Sequence, residues 1–280
     1  MAGLYLFLIR RAVNDKQISY IILGKGILTM NILAIGAHPD DVELGCGGTL
    51  LKAVRQGHNV YMYNITRGSA SGDPAMRVQE LIHSSEFVGV KTLWIDNFED
   101  TKLSLNSQLV NHIEYFIGKA KPDLIYTHSG CDNHHDHRAI AAATIEAGRF
   151  VPNIVAYEMP VTRDFKPQVY FDISDVIDEK IKLLNVFYSQ RDKMFIKSNA
   201  IRGLAYYRAL QSRLDPSITS VEAFEVVKLG FATDFKILES QSSLLPGQDN
   251  LQTVNKDIIE YHPTANLPQQ EVSSGLKLTV

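Results

Sequence analysis

Between residues 31 and 158, short runs rich in apolar and β-branched residues alternate with longer segments of helical periodicity. Strands that alternate with helices pair in parallel through right-handed crossovers, so this pattern leaves few topologies open. It predicts a Rossmann-like α/β fold, in which helices flank a mostly parallel sheet. The predicted strands are 31–36, 59–65, 92–95, 123–127 and 154–158, and the predicted helices are 42–56, 75–88, 107–119 and 136–148.

Four further segments follow the alternating region. Residues 168–174 and 220–230 have strand patterns, whereas 175–190 and 198–213 have helical patterns. We interpret them as additions that complete one edge of the sheet and form walls of the site.

The chain has 280 residues and 45% hydrophobic content, enough for a core that needs neither a disulfide nor a metal. We expect one domain over residues 30–235. Residues 1–29 show no related periodicity and are interpreted as an N-terminal appendage, consistent with a start codon called too early. Residues 239–280 are rich in Ser, Gln, Asn and Pro and are expected to form a disordered tail.

Charge and cysteine content narrow the class of protein. The net charge is −3, and Lys and Arg are scattered, which argues against nucleic acid or an anionic membrane as a partner. The apolar run near the N-terminus is too short to span a bilayer, so no integral membrane segment is predicted. With only two cysteines, far apart, the chain suits the cytoplasm. The expected partner is a small-molecule substrate, and the oligomeric state is not predicted.

Two polar clusters follow two of the predicted strands. In folds of this type, ligands bind at the carboxyl ends of the strands where the strand order reverses, which for the order 3-2-1-4-5 lies between the first and fourth strands. The first strand runs into "AHPDD" at 37–41 and the fourth into "SGCDNHHDHRA" at 129–139. The two clusters are therefore expected to converge.

The spacing of the histidines and aspartates is typical of a metal site. His38 and Asp41 are three residues apart across a turn that Pro39 restricts, and His134 and His137 repeat this spacing. His38, Asp41 and His137 would form a two-histidine, one-carboxylate set, which leaves a coordination position for water in catalytic zinc sites. A metal would also supply the cation that enclosed, adjacent carboxylates need.

The neighbouring residues suit proton transfer. Asp40 is not needed as a ligand and could take a proton from water as a general base. His134 with Asp136 is interpreted as the complementary acid, a histidine whose protonated form a carboxylate stabilises. Singly, such residues are more often solvated histidines and helix caps, and a cap explains Asp136 almost as well. Together, the two clusters favour a hydrolytic metal site.

Several stretches occur in the order found in a known family. The two clusters carry most of the similarity, and through them the chain resembles the LmbE/PIG-L family of zinc-dependent N-deacetylases, which act on N-acetylglucosaminyl compounds. The resemblance covers about residues 30–230. The stretches are "AHPDDVELGCGGTL", "TRGSASGDPAMRVQEL", "DTKL", "PDLIYTHS", "HHDHRA", "SQ" at 189–190 and "VEAF" at 221–224.

The roles implied by the resemblance agree with those argued from the residues. It also matches Arg77 to an arginine that contacts substrate hydroxyls, whereas the simpler interpretation of Arg77 is a surface arginine on a helix. The implied zinc ligands are His38, Asp41 and His137, the implied general base is Asp40, and His134 is implied to assist the tetrahedral intermediate or the leaving amine.

The chain departs from the family pattern at three positions. Ser69 stands where a glutamate is usual after "TRG", which changes the polar wall of the substrate pocket. His135 replaces a proline, which changes backbone stiffness and removes no ligand. Asp132 stands where some relatives have a tyrosine, so that source of oxyanion stabilisation is absent unless a later tyrosine enters the site.

The sequence thus predicts a zinc-dependent N-deacetylase that hydrolyses the acetamide of an N-acetylglucosamine-type conjugate. A nucleotide-dependent oxidoreductase is disfavoured because "HPDD" stands where a glycine-rich phosphate loop would be. A non-haem iron(II) oxygenase could use the same ligand set, and Fe²⁺ could replace zinc, but Asp40 has no evident use in oxygen activation. The other alternative is a non-catalytic sugar-binding relative, against which the retained proton-transfer residues argue.

Overall fold

A computed structural model of the chain describes residues 11–13, 17–19, 29–230 and 260–261. The expectations of an appendage at 1–29 and of a disordered tail at 239–280 fall almost entirely outside the described residues. Within the described residues, no helix has both the length and the apolar character to cross a membrane.

The strands are β1 Arg11–Val13, β2 Gln17–Ser19, β3 Asn31–Gly36, β4 Asn59–Thr66, β5 Thr92–Phe98, β6 Leu124–His128, β7 Asn153–Tyr157, β8 Val169–Asp172, β9 Val221–Leu229 and β10 Glu260–Tyr261. The helices are α1 Asp41–Arg55, α2 Pro74–Val88, α3 Ser107–Ala120, α4 His135–Ala147, α5 Ile177–Leu184 and α6 Ser198–Ser212.

Eight strands form one mixed sheet in the order β10-β5-β4-β3-β6-β7-β9-β8, while β1 and β2 pair separately. All neighbours from β10 to β7 are parallel, and β9 is antiparallel to both β7 and β8. The central order β5-β4-β3-β6-β7 is the predicted order 3-2-1-4-5. The α/β fold with a mostly parallel sheet is therefore confirmed, and so is the edge formed by the later strands.

The central strand is apolar on both faces because helices cover both sides of the sheet. Ile32 and Ala34 face a core shared with α1, α2, α5 and α6, whereas Leu33 and Ile35 face a second core shared with α3 and α4. This accounts for the uninterrupted "ILAI" run, since a strand covered on both faces needs no polar alternation.

One glycine lets α1 lie close to the sheet. A Cβ atom on Gly45 would come within 2.2 Å of the Tyr157 ring, and the Tyr157 hydroxyl donates a hydrogen bond to the Ile35 carbonyl at 2.8 Å. A larger residue at position 45 would push α1 away from β7. Since the first polar cluster ends at Asp41, the first residue of α1, this contact also sets the depth of that cluster.

The predicted helix 175–190 is wrong in extent, because α5 ends at Leu184. The apolar period continues to Phe187, which explains the prediction, but the chain turns away beyond the helix. The Ser189 backbone N–H and hydroxyl donate to the Glu80 carboxylate of α2 at 2.7 and 2.6 Å. These tertiary bonds hold Tyr188–Gln190 as a separate 3₁₀ turn.

Candidate metal centre and active site

The two predicted clusters meet at the carboxyl ends of β3 and β6. The first occupies the turn 37–40 and the start of α1, and the second occupies the loop 129–134 and the start of α4. The ring centroids of His38 and His137 are 5.4 Å apart, although 98 residues lie between these two positions in the chain. The convergence expected from the strand order is therefore present.

Three side-chain atoms form a nearly equilateral triangle. His38 Nδ1 lies 3.2 Å from Asp41 Oδ2, His137 Nε2 lies 3.4 Å from the same oxygen, and the two nitrogens are 3.4 Å apart. Ligands about 2.0–2.1 Å from a tetrahedral zinc ion are roughly 3.3 Å from one another. The three predicted ligands thus have the mutual spacing that a zinc ion requires.

The charges of the triangle also suit a cation. Burial raises the pKa of Asp41, but His137, His128 and His38 outweigh it and hold that pKa well below its usual value. Burial lowers the pKa of His137, but Asp41 and Asp132 bring it to about 9. The carboxylates therefore stabilise positive charge at this point, and a divalent ion would supply it in place of the histidine protons.

Each candidate histidine ligand has a carboxylate at its other ring nitrogen. His38 Nε2 lies 3.0 Å from Asp100 Oδ1 and 3.1 Å from Asp136 Oδ2, while His137 Nδ1 lies 3.2 Å from Asp132 Oδ1. Asp136 accepts the second N–H of His38, whereas Asp132 is close to His137 Nδ1 without forming a hydrogen bond. Carboxylates at these positions favour the ring orientation that leaves the opposite nitrogen free for a metal. The residues present therefore fit a metal in their donors, spacing and outer hydrogen bonds.

The Asp136 carboxylate makes its hydrogen bonds away from the His134 ring, with which the sequence pairs it. It lies against His38 and accepts hydrogen bonds from the backbone N–H groups of Thr101 and Leu103 at 2.8 and 2.9 Å. Its backbone N–H donates to His134 Nδ1 at 3.2 Å, while its carboxylate acts on His134 through its negative charge, which raises the pKa of that histidine. The helix-cap alternative fails as well, because His134 itself occupies the N-cap of α4. Asp136 is placed to orient a ligand.

His134 is half-buried at the edge of the triangle, with its ring edge-on to that of His38 at a centroid distance of 4.8 Å. Because Nδ1 accepts the Asp136 backbone N–H, the proton of the neutral ring belongs on Nε2. Burial and the nearby His137 and His38 lower its pKa, which favours that neutral form. His134 is thus suited to donate one hydrogen bond from Nε2.

Asp40 is buried and has a strained backbone, with φ of 109° in the left-handed region that non-glycine residues seldom adopt. Its carboxylate lies 3.3 Å from Arg77 Nη2. Burial raises the pKa of Asp40 and Arg77 lowers it, with a net value of about 7. A carboxylate with such a pKa can both accept and return a proton near neutral pH.

Arg77 is not the surface arginine of the simpler interpretation, since only 2% of it is exposed. Its guanidinium donates to the Pro39 carbonyl, to the Ser71 hydroxyl and, at 3.3 Å, to the Gly68 carbonyl. These bonds hold the turn that carries Asp40 against the loop after β4. The guanidinium also lines the cavity described below, where the family resemblance would have it contact substrate.

Sequence reasoning missed two residues around the triangle. Asp100 lies just after the carboxyl end of β5, at the same edge of the sheet, and the convergence argument could have identified it. His128 is the last residue of β6, and its ring stacks on His137 at 3.9 Å. Its Nε2 accepts the Ala37 backbone N–H at 3.1 Å, and burial, with His137, lowers its pKa to about 4. His128 is therefore a neutral supporting residue.

An open cavity of about 230 Å³ lies over the triangle. Polar side chains line part of it, among them Ser71, Asp100 and Thr101. Lys193, which the sequence also did not identify, extends into the same space. The apolar part of the lining consists of Leu44, Met159, Pro160, Val161 and Phe195, with Ala70 on the rim.

Comparison with known proteins identifies the family to which the chain is similar. A family model described as PIG-L, GlcNAc-PI de-N-acetylase, matches residues 33–148, a range that contains both clusters. The protein named "Uncharacterized deacetylase YaiS" from Escherichia coli K12 is 32% identical over 169 residues, covering 58% of this chain and 91% of that protein. Diacetylchitobiose deacetylase from Thermococcus kodakarensis is 29% identical over 185 residues, covering 57% of this chain and 69% of that protein.

A solved structure shares the fold. The conserved protein TT1542 from Thermus thermophilus has a TM-score of 0.66 and 22% identity, covering 74% of this chain and 99% of that chain. At 22% identity, this similarity supports a shared fold alone. The match of YaiS over nearly its whole length and the family model spanning both clusters agree: the chain belongs to the PIG-L (LmbE-like) family of de-N-acetylases.

Proposed function

We propose that this chain is a zinc-dependent N-deacetylase that hydrolyses the acetamide of an N-acetylglucosamine-type sugar conjugate, releasing acetate and a free amine. Family membership supports the reaction class. The observation that carries the proposal is the triangle of His38, Asp41 and His137 atoms, 3.2–3.4 Å apart, with the buried Asp40 beside it. This combination supplies a metal site and a proton acceptor in one cavity.

His38, Asp41 and His137 would hold the metal, which when bound would polarise the acetyl carbonyl and lower the pKa of an attacking water. Asp40 accepts a proton from that water as its oxygen adds to the carbonyl carbon. Arg77 holds the turn that carries Asp40, so that the carboxylate keeps its position through the reaction.

His134 stabilises the tetrahedral intermediate. Its Nε2–H donates to the oxygen on which negative charge develops, while the Asp136 backbone N–H fixes the ring through Nδ1. The lowered pKa of His134, caused by burial and the neighbouring histidines, suits a neutral donor better than a proton source. This assignment keeps the stabilising role expected for His134 and moves proton delivery elsewhere.

Asp40 then returns its proton to the departing nitrogen. The carbon–nitrogen bond breaks, the oxygen from water remains on the acetyl carbon, and the products are acetate and the amine. A single carboxylate can serve as base and then acid if its pKa lies near the working pH, and burial brings the pKa of Asp40 to about 7.

Zinc is proposed over iron because the neighbouring groups suit hydrolysis. A two-histidine, one-carboxylate set also occurs in iron(II) oxygenases. A buried base and a hydrogen-bond donor flanking the ligands assist the addition of water to an amide, and neither is required to bind oxygen. The same two groups argue against a non-catalytic sugar-binding protein.

An acetate-release assay tests the proposal. The zinc-loaded full chain would be incubated with N-acetylglucosamine conjugates whose second group is a neutral sugar, a carboxylic acid or an inositol phosphate. We expect acetate and a stoichiometric free amine from at least one conjugate, and loss of both after chelation with recovery on adding zinc. Release of neither product from any conjugate by protein holding one zinc per chain would contradict the proposal.

A further inference from the structure

The apolar part of the cavity lining separates the cavity from a second, smaller one. A cavity of about 30 Å³ lies behind the active-site cavity. Three residues line both: Leu44, Pro160 and Phe195. The smaller cavity exceeds the roughly 10–15 Å³ that one water molecule needs, and the three shared side chains lie between it and the substrate cavity.

The layer is held in place from outside the catalytic cluster. Phe195 lies in the 3₁₀ turn Met194–Ile196, which comes shortly after the 3₁₀ turn Tyr188–Gln190, and it packs against the apolar core. The earlier turn is fixed by the hydrogen bonds from Ser189 to Glu80 and by the Gln190 side-chain amide, which donates to the Ser71 carbonyl at 3.2 Å. The Lys193 backbone N–H donates to the Gln190 carbonyl at 3.0 Å and links this turn to the next one, whose Phe195 ring lines the cavity.

Leu44 places this layer next to the reacting group. It lies on α1, three residues after the ligand Asp41, so both side chains project from the same face of the helix. An acetamide with its carbonyl oxygen at the metal must put its methyl group within a few ångströms of the ligands. The apolar side chains that line the same cavity offer the methyl group a favourable environment, whereas Ser71, Asp100 and Thr101 suit hydroxyl groups.

We propose that Leu44, Pro160 and Phe195 form an acyl-selecting wall that limits the substrate's N-acyl group to acetyl. This inference rests on the proposed deacetylase function. The wall contacts the methyl group and obstructs further carbons in that direction, and the neighbouring 30 Å³ cavity is the space that a longer acyl chain would enter if the wall were cut back.

Hydrolysis of an acyl series tests the wall. Zinc-loaded wild type, Phe195→Ala and the milder Phe195→Leu would be compared on N-acetyl-, N-propionyl- and N-butyrylglucosamine conjugates. Wild type should prefer acetyl, and Phe195→Ala should raise the butyryl-to-acetyl ratio of kcat/KM by about tenfold or more, the lower end of what a changed hydrophobic pocket gives. Phe195→Leu should shift the ratio in the same direction by less.

The matched control is Val161→Ala, which shortens an apolar side chain of the same cavity that does not line the smaller one. Its butyryl-to-acetyl ratio should equal that of wild type. If Val161→Ala shifts the ratio as much as Phe195→Ala does, or if neither Phe195 variant shifts it, the wall does not determine the selectivity for acyl-chain length.

A binding measurement separates this inference from the proposed function. Acetohydroxamate and butyrohydroxamate chelate metals through the same end and differ only in acyl length. Their dissociation constants for zinc-loaded protein require no turnover. Wild type should bind acetohydroxamate more tightly, and the preference should fall about tenfold in Phe195→Ala. An unchanged preference would overturn the wall even if acetate is released, and a shifted preference would support it even if no tested conjugate is cleaved.

Discussion

The turn after β3 and the loop after β6 supply similar residues but differ in how those residues work. In the first, His38, Asp40 and Asp41 lie within four consecutive positions, and each lines the cavity over the triangle. In the second, His137 is the only residue of the triangle. Its neighbour Asp136 reaches across to His38.

The difference shows that the two halves of the site are not independent. Asp136 contacts the ring of His38, a proposed ligand that follows another strand, and also holds the loop after β5 through the Thr101 and Leu103 N–H groups. Asp132, in the second loop itself, places a carboxylate 3.2 Å from His137 Nδ1. In the proposed mechanism the first turn supplies the base and two of the three metal ligands, while the second region supplies the third ligand, the hydrogen-bond donor His134 and the carboxylates beside both histidine ligands.

The largest expected effect comes from removing a ligand in either region. His38→Ala and His137→Ala should each abolish tight binding of about one zinc ion per chain and reduce turnover to background, while the fold is retained because the core is large. Elemental analysis and circular dichroism check this, with the exposed His83→Ala on α2 as the control. Full metal content in either ligand variant would remove that residue from the site.

The supporting carboxylates should have an intermediate effect. Asp136→Asn and Asp132→Asn keep the side-chain shape but weaken the acceptor that orients each histidine, so zinc affinity should fall by about 10–100-fold. Competition with a zinc chelator measures this, and the exposed Asp192→Asn should match wild type. Wild-type zinc affinity in Asp136→Asn would show that the contact between Asp136 and His38 does not contribute to zinc binding.

Arg77 should affect pH dependence. Arg77 lowers the pKa of Asp40 against the effect of burial, so Arg77→Met should raise that pKa above its value of about 7. Because the base works only when deprotonated, the acidic limb of the rate profile should move to higher pH and the basic limb should stay. The exposed Arg55→Met is the control. An acidic limb that does not move would show that this limb reflects the titration of a group other than Asp40.

The smallest effect is expected at the departure from the family pattern in the second loop. His134 has φ −78° and ψ 126°, the conformation favoured before proline, and His135 is the first residue of α4, where proline is tolerated. His135→Pro should therefore change stability by at most about 1 kcal/mol. Thermal unfolding and zinc content check this, and a loss of metal would show that the His135 contact with the Thr101 carbonyl is needed.

The strand order and the convergence of the two clusters could be predicted from the sequence, because both follow from local periodicity and general rules of parallel sheets. The contacts between individual side chains could not be predicted from the sequence. Asp136 was paired with His134 because the two are neighbours in the chain, but the first turn of α4 directs its carboxylate toward His38 on another strand. Such a contact depends on the relative heights of β3 and β6, which no local pattern reports.

Two other differences have the same cause. Arg77 has the sequence environment of an exposed helical residue and is buried only because the turn after β3 supplies carbonyl acceptors for it. The predicted helix 175–190 is too long because Ser189 donates hydrogen bonds to Glu80, which is distant in the chain. Both depend on tertiary hydrogen bonds.

The central claim is that two adjacent carboxylates in the first turn have different functions, and one pair of variants tests it most directly. Asp40→Asn and Asp41→Asn make the same change at neighbouring positions. Zinc content and turnover would be measured for both, with and without added zinc.

Asp40→Asn should keep its zinc and lose turnover by about 10²–10⁴-fold, the range for a positioned proton-transfer group, without rescue by added zinc. Asp41→Asn should lose zinc, and added zinc should restore part of its activity. If Asp40→Asn loses the metal while Asp41→Asn retains it, the two roles are reversed, and if neither variant alters turnover, the hydrolytic site is not here.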